Sequence, residues 1–299
     1  MYKVFNIIGW NEDLNKLLTR LLIQKPSDFN YFEITDKIEE ADFVFVIDRI
    51  SEKYDKNILN KRSKNSKLVV VQREPDSVNR LDNHLINISD KNFTYGKNNH
   101  ITFVLWWLDY NYESLKKLKY NDIEKKLEYC CITTNIKILQ GHQFRMDWLS
   151  QAQKYLDIDF YGRDNLKSSF NNYKGTPESF CKTNGDNKSR DKSIIQSYNK
   201  SFSFDNTKQK NFITRVNEDF LMWTLPLYWG CPNIDEIYPK NSYRFIDITK
   251  PISNETLEYI KSPVGNDEIS AIEEARLLVL DKYNYWFSIA DIIKTFMTS

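Results

Sequence analysis

Residues 198–234, YNKSFSFDNTKQKNFITRVNEDFLMWTLPLYWGCPNI, decide how the rest of the chain is read. Two apolar runs, 201–204 and 225–229, have the length and aromatic content of short buried strands. Between them a polar loop, 205–213, leads into residues 215–224, where Phe220, Leu221 and Trp223 are apolar and a helix is predicted. Gly230, Cys231 and Pro232 then end the second strand with a turn. Strand, loop, helix, strand is the repeating unit of a parallel α/β sheet. In open sheets of that kind ligands bind beyond the carboxyl ends of the strands. The loop lies there and enters a helix N-terminus, whose free N–H groups suit a phosphate. Lys208, Lys210 and Arg215 add positive charge, although an ordinary solvated loop would also carry such lysines.

The same grammar continues on both sides. Leu127–Thr133 reads as a strand, followed by a helix carrying Met146, Leu149, Ala152 and Leu156, then a strand at 157–161 ending at Gly162. Residues 175–197 are polar with little periodicity and read as a loop. Beyond the central unit a strand is expected at 243–248 and a helix at 269–280, ahead of Tyr285, Trp286 and Phe287. In the first third, Tyr2–Ile8, 41–48 (ADFVFVID) and 67–72 (KLVVVQ) are nearly continuous apolar runs, as strands buried on both faces should be. Leu14, Leu17, Leu18, Leu21 and Leu22 share one helix face. The charged stretch 110–126 reads as a linker or a domain-edge helix. For 299 residues, at roughly 150 per domain, two Rossmann-like α/β domains with a cleft between them are expected. They are drawn at 1–122 and 123–299, the last helix staying with the second or returning to the first.

Composition excludes several functions. Lys+Arg 42 against Asp+Glu 41 gives +1, so no global field draws the chain onto nucleic acid or anionic lipid. An aromatic content of 14% excludes a disordered chain. The longest apolar run, 101–108, is far short of the roughly 20 residues that span a bilayer, so no transmembrane segment is expected. The opening MYKVFNIIGWNEDL has too short an apolar stretch for a signal peptide. Cys130, Cys131, Cys181 and Cys231 form no CxxC and no zinc spacing, so a reduced, cytoplasmic setting is expected. The sequons at 87–89 and 187–189 read as by-products of abundant Asn and Ser. Asp157-Ile158-Asp159 is formally a metal-type D-x-D, but its alternation with Ile158 and Phe160 reads as strand. His142 and the aromatic cluster Trp106, Trp107 and Tyr110 read as structural before they read as ligand-binding.

The 198–234 segment resembles the donor-site signature of glycosyltransferase family 10, the α-1,3/1,4-fucosyltransferases. That signature reads approximately F-x-x-x-F-E-N-S, a short loop, Y-V-T-E-K, about a dozen residues, then I-P-I-Y-W-G-x-P. Here Phe204-Asp205-Asn206-Thr207 stands for F-E-N-S, Phe212-Ile213-Thr214 for Y-V-T, and residues 225–232 (LPLYWGCP) for the last block. Residues 134–163, with Arg145 and a strand ending Tyr161-Gly162-Arg163, are similar to the family's upstream block, and residues 69–78 (VVVQREPDSV) to its N-terminal strand with an acidic end. The resemblance implies a GT-B fold with the acceptor on the N-terminal domain and GDP-fucose on the C-terminal one. It implies inverting transfer of fucose to a glycan hydroxyl, with a nucleotide sugar as co-substrate, a glycan or glycolipid acceptor, and neither a cofactor nor an obligatory metal. Glu74 matches the candidate general base, with pairing to Arg73 or Arg80 as the structural alternative. Arg145 matches the pyrophosphate-binding arginine, or is an ordinary surface residue of its helix. Asn206 and Phe212 match donor-lining positions, Asn206 being equally able to cap a turn; Gly162, Asp205 and Thr214 lie in the matched blocks and join the donor-binding set.

The chain departs from the signature after Thr214, where the family has Glu then Lys and this chain has Arg215 then Val216, one residue short of the last block. Counted from upstream, Arg215 takes the Glu place; counted from downstream, it takes the Lys place and the Glu is missing. The second count keeps a cation at the phosphates. Glu218 is then the candidate to replace the carboxylate, or simply faces solvent. Another nucleotide-sugar donor, or a non-catalytic glycan- or nucleotide-binding relative, remain the alternatives.

Overall fold

The computed structural model describes residues 1–9, 14–55, 57–78, 81–96, 100–177 and 192–298. Arg80, Cys181, the sequon at 187–189 and most of the 175–197 loop lie outside the described residues. Two compact units emerge, Met1–Phe103 with Asn284–Ser299, and Val104–Tyr283. The division drawn after residue 122 thus falls at Phe103 here, and the last residues belong with the first unit.

Among the described residues the first unit carries a five-stranded parallel sheet. Its strands are β1 (Tyr2–Ile8), β2 (Phe32–Ile34), β3 (Phe43–Ile47), β4 (Lys67–Val71) and β5 (Lys91–Phe93), in the order β2-β1-β3-β4-β5. The apolar runs are continuous because β3 is buried along its whole length and β4 from Leu68 onward. On one face Ile7, Val44, Val46, Leu68 and Val70 form a cluster with Leu85. Helix α1 (Leu14–Ile23) buries Leu17 and Leu21, but Leu22 is 60% exposed. At about 100° per residue it sits at the edge of the stripe. Helix α2 (Asn83–Ile88) starts at Asp82, whose side chain accepts the His84 N–H.

The second unit carries a six-stranded sheet, again parallel throughout. Its strands are β6 (Leu127–Thr133), β7 (Ile158–Gly162), β8 (Tyr173–Gly175), β9 (Tyr198–Phe204), β10 (Leu225–Trp229) and β11 (Arg244–Phe245), ordered β11-β10-β9-β6-β7-β8. Helices α3 (Tyr112–Lys117), α4 (Gln140–Ala152), α5 (Asn217–Leu221), α6 (Asn254–Lys261) and α7 (Asn266–Leu278) accompany it. Trp148 of α4 packs edge-on against Phe204 at 5.7 Å, inside a core with Phe160, Phe202 and Trp229. The strand expected at 243–248 shrinks to two residues. There the buried Arg244 turns away to Glu268 and to the carbonyls of Tyr259 and Ser262. The helix expected at 215–224 likewise shrinks to the five residues of α5.

The last helix, α8 (Tyr285–Lys294), belongs to the first unit. Trp286 stacks on Phe32 at 4.9 Å and its Nε1–H donates to the Leu21 carbonyl at 2.8 Å. Among the described residues no helix is long and apolar enough to cross a membrane.

Candidate functional site

In the second sheet the chain reverses its direction of travel between β6 and β9. From β6 it moves through α4 to β7 and β8; from β9 it moves the opposite way, through α5 to β10 and β11. Adjacent parallel strands whose connections diverge leave a crevice beyond their carboxyl ends, the usual ligand position in such sheets. Arg145, Asn206 and Arg215 meet there. Arg145 Nη1 donates to the Phe204 carbonyl at the end of β9 and to Asn206 Oδ1, both at 3.2 Å. Arg215 Nη2 reaches the same Asn206 oxygen at 3.4 Å.

Two guanidinium groups thus share one neutral acceptor. Arg145 is only 2% exposed, and its Nε and Nη2 have no hydrogen-bond partner among the described residues. A buried cation with unanswered donors is costly, by several kcal/mol if water and a counter-charge are both missing. Burial, with the Arg215 charge second, pushes the Arg145 pKa down to about 9, which still leaves it charged at neutral pH. His142, one turn before Arg145, accepts the Leu139 N–H on Nδ1 at 3.0 Å. Burial, followed by Arg145 and Arg215, lowers its pKa to about 4, so it stands neutral and adds no charge at pH 7. Gly141 lets the loop come this close, since a Cβ there would lie 2.3 Å from the Asn206 carbonyl oxygen.

The loop after β9 is held from beneath by a carboxylate. Asp205 is fully buried; its Oδ1 accepts the Thr214 N–H at 3.1 Å and hydroxyl at 2.7 Å, and its Oδ2 accepts the Tyr228 hydroxyl at 2.6 Å. The Tyr228 oxygen in turn accepts the Cys231 N–H at 2.6 Å. Gly230, at φ +158°, passes over this pair, and a Cβ would meet the Tyr228 hydroxyl at 2.5 Å and Asp205 Oδ2 at 2.6 Å. The far side of the loop is fixed by Asn211, which sits at φ 65° and exchanges two hydrogen bonds with Asn233. Phe212 is buried. Asp205, Thr214 and Phe212 are therefore parts of the loop's frame, while Asn206, Arg215 and Arg145 form its charged surface. Gly162, at φ +151°, lets β7 approach β6: a Cβ would lie 2.2 Å from the Thr133 carbonyl oxygen.

A second polar group lies under the same crevice. Glu218 Oε1 accepts the Trp107 N–H at 3.2 Å, and Oε2 is 2.9 Å from the Lys192 ammonium. Glu218 is 2% exposed, so its carboxylate is committed to these neighbours and does not face solvent. Asp219 is fully buried and accepts the Ser203 hydroxyl on Oδ2. Arg145, Lys192, Arg215 and Asp219 line one small cavity with Ser201 and Ser203. Lys192 and Asp219 are missed by sequence reasoning. Lys192 lies within a polar tract that reads as loop, and Asp219 sits in Asn-Glu-Asp, which reads as a solvent face. The phosphate-binding helix end also fails, because five-residue α5 has almost no macrodipole to offer.

Glu74 belongs to the first unit, two residues after Gln72 at the carboxyl end of β4. Asp48, at φ 65° after β3, accepts the N–H groups of Arg73 and Glu74 on Oδ1 at 2.7 and 2.9 Å. Gln72 Nε2 donates to the Glu74 carbonyl at 3.1 Å, and the Arg73 guanidinium lies over the Phe103 ring at 5.6 Å. The backbone bearing Glu74 is thus fixed from two sides, and its side chain is half-buried. Asp157 and Asp159 both accept from Asn172, and Asp159 also accepts the Tyr198 hydroxyl at 2.6 Å, as strand-end neighbours do. Among the described residues no cluster of three His, Cys, Asp or Glu side chains could hold a metal ion.

No sequence-family profile and no curated protein sequence matches the chain. Solved structures do resemble it. An α1,3-fucosyltransferase with GDP-fucose is similar at 16% identity and a TM-score of 0.55, over 99% of this chain and 89% of that one. Anabaena Alr3699/HepE in complex with UDP-glucose is similar at 10% identity and a TM-score of 0.58, over 100% of both chains. The likeness shows the fold, an α/β architecture of GT-B type with two parallel sheets.

Proposed function

We propose that the chain is an inverting glycosyltransferase that moves a sugar, with fucose from GDP-fucose as the first candidate, onto a glycan hydroxyl. The observation that carries this reading is the Arg145 guanidinium, buried with two unanswered donors beside the Arg215 guanidinium at a sheet's switch point. Breaking a glycosidic bond to a nucleotide leaves a diphosphate bearing new negative charge, and preorganised cations lower the barrier by meeting that charge as it develops. Arg145 has a planar fork able to take two phosphate oxygens at once. In this reading Asn206 spaces the two guanidinium groups, and the Asp205–Thr214–Tyr228 frame keeps the loop from relaxing away. Glu74 takes the acceptor hydroxyl proton as oxygen attacks the anomeric carbon. A positioned base of that kind contributes roughly 10²–10⁴-fold. Transfer proceeds without an added metal ion, and activity should persist in EDTA. The buried, free Cys130, Cys131 and Cys231 support work in a reducing compartment such as the cytoplasm.

The second reading keeps the fold and changes the donor. Counted from upstream, the buried Val216 takes the signature's lysine place; counted from downstream, the signature's glutamate is missing, and the Glu218 carboxylate is already engaged by Trp107 and Lys192. The likeness to a protein in complex with UDP-glucose fits this reading too. The experiment is a thermal-shift screen of GDP, UDP, CMP and their sugars, followed by donor hydrolysis. Stabilisation by GDP with release of fucose from GDP-fucose supports the first reading, and stabilisation by UDP the second. Binding without turnover would make the chain a nucleotide-binding relative, and no stabilisation by any of them would overturn the proposal.

A further inference from the structure

Among the described residues Asp219 is the one carboxylate lining the cavity that holds the two guanidinium groups, and the proposed chemistry does not use it. It is fully buried on α5; Ser203 occupies one oxygen, and Oδ1 makes no hydrogen bond among the described residues. We infer that Asp219 is a charge-balancing group of the anion site, ionised while the site is empty and protonated when a diphosphate occupies it. This inference rests on the nucleotide-sugar reading of that site.

In a water-poor space the balance of charge decides where a proton resides. Arg145, Arg215 and Lys192 on the cavity wall bring three positive charges, already answered by three carboxylates: Asp219 on the same wall, Glu218 beside Lys192 and Asp205 beside Arg215. A diphosphate diester adds two more negative charges, and the carboxylate is the group whose proton affinity that repulsion raises. The groups facing Asp219 come from every neighbouring element. They are Ser201 and Ser203 on β9, Cys130 and Cys131 on β6 with Lys125 just before it, Lys192, Glu218 beside it on α5, and Arg145 and Arg215 across the cavity. Burial is the largest influence and lifts the Asp219 pKa to about 7, against the pull of Ser203 and Lys192. A further push from a bound anion therefore acts in the physiological range. The bound state then holds more protons than the free state above about pH 7, so the dissociation constant rises with pH there. The limit is roughly tenfold per pH unit for one whole proton.

Calorimetry at pH 7.5 in two buffers of different ionisation enthalpy reads the proton count directly. GDP-fucose and UDP-glucose are the probes, because a doubly esterified diphosphate has no ionisation of its own near neutrality. Wild type should take up between half a proton and one proton on binding whichever probe binds, and Asp219→Asn should take up none, with a dissociation constant that no longer rises from pH 7 to 8. Ser203→Ala keeps the carboxylate but removes a hydrogen bond that favours its charged form, so the uptake window should move to higher pH. Equal proton counts in wild type and D219N, or an unmoved window in S203A should D219N not fold, would overturn the inference while leaving donor binding intact. Failure of both probes to bind wild type would instead bring down the donor reading, and this inference with it.

Discussion

Arg145 combines two properties that pull in opposite directions. As a buried cation with two open N–H groups it works against the stability of the ligand-free protein, and in the proposed function the same fork prepares the site for an anion. Arg145→Met should therefore raise the melting temperature of the ligand-free chain and abolish its stabilisation by nucleotide diphosphate, both read in one thermal-shift series. A fall in the ligand-free melting temperature would make Arg145 a structural residue. Arg145→Lys keeps the charge but not the fork, and should weaken binding at least tenfold, about 1.4 kcal/mol. Glu74→Gln should leave donor affinity unchanged and reduce transfer by roughly two to four orders of magnitude; near-normal turnover would remove Glu74 from the role. Arg145 stands out in the sequence as a candidate because a motif surrounds it. Asp219 and Lys192 do not stand out, because nothing in the residue string distinguishes a charged residue turned inward from one on a wet face. Each is held by a partner elsewhere along the chain: the Lys192 N–H donates to the Trp107 carbonyl, and the Ser203 hydroxyl donates to Asp219.

At the scale of elements, the Pro-Leu-Tyr-Trp-Gly-Cys-Pro block acts as a frame. Tyr228 and Gly230 fasten Asp205, and through it Thr214, so that the charged surface of the loop is set by residues that never reach it. Tyr228→Phe leaves Asp205 with an unanswered oxygen and the Cys231 N–H without its acceptor, and should cost about 1–3 kcal/mol in denaturant unfolding. Gly230→Ala drives a methyl into the same hydrogen bond and should be at least as damaging. The strands are readable wherever both faces are covered, as in β3, β4 from Leu68 onward and β10, since their apolar runs mark both burial and length. Three-residue β2, β5 and β8 fall below any periodic signal, and their existence depends on a neighbour already in place. The overlong helix at 215–224 was misjudged because apolar spacing persists through residues that are buried without being helical, Val216 and Trp223 among them.

At the scale of the molecule, the two units are legible as two α/β series, but their membership is not. Tyr285 and Trp286 lie next in sequence to the second unit and are buried in the first, against Asn6, Leu21 and Phe32. Nothing in the spacing of an amphipathic helix tells which sheet it will cover. A chain cut after Tyr283 should keep a folded 104–283 unit and lose the first one. Hydrogen exchange would show this as protection retained in β6, β9 and β10 and lost in β1, β3 and β4; protection retained in β3 and β4 would mean that α8 is dispensable.

Because the first unit is discontinuous, birth order and assembly order differ. Residues 1–103 leave the ribosome before 104–283, yet they must wait with Phe32 and Leu21 uncovered until α8 is translated, while the contiguous unit between can close on its own. Of the two units, the one begun earlier is completed later, and a translational stall near residue 283 would strand it half-built within reach of chaperones and proteases.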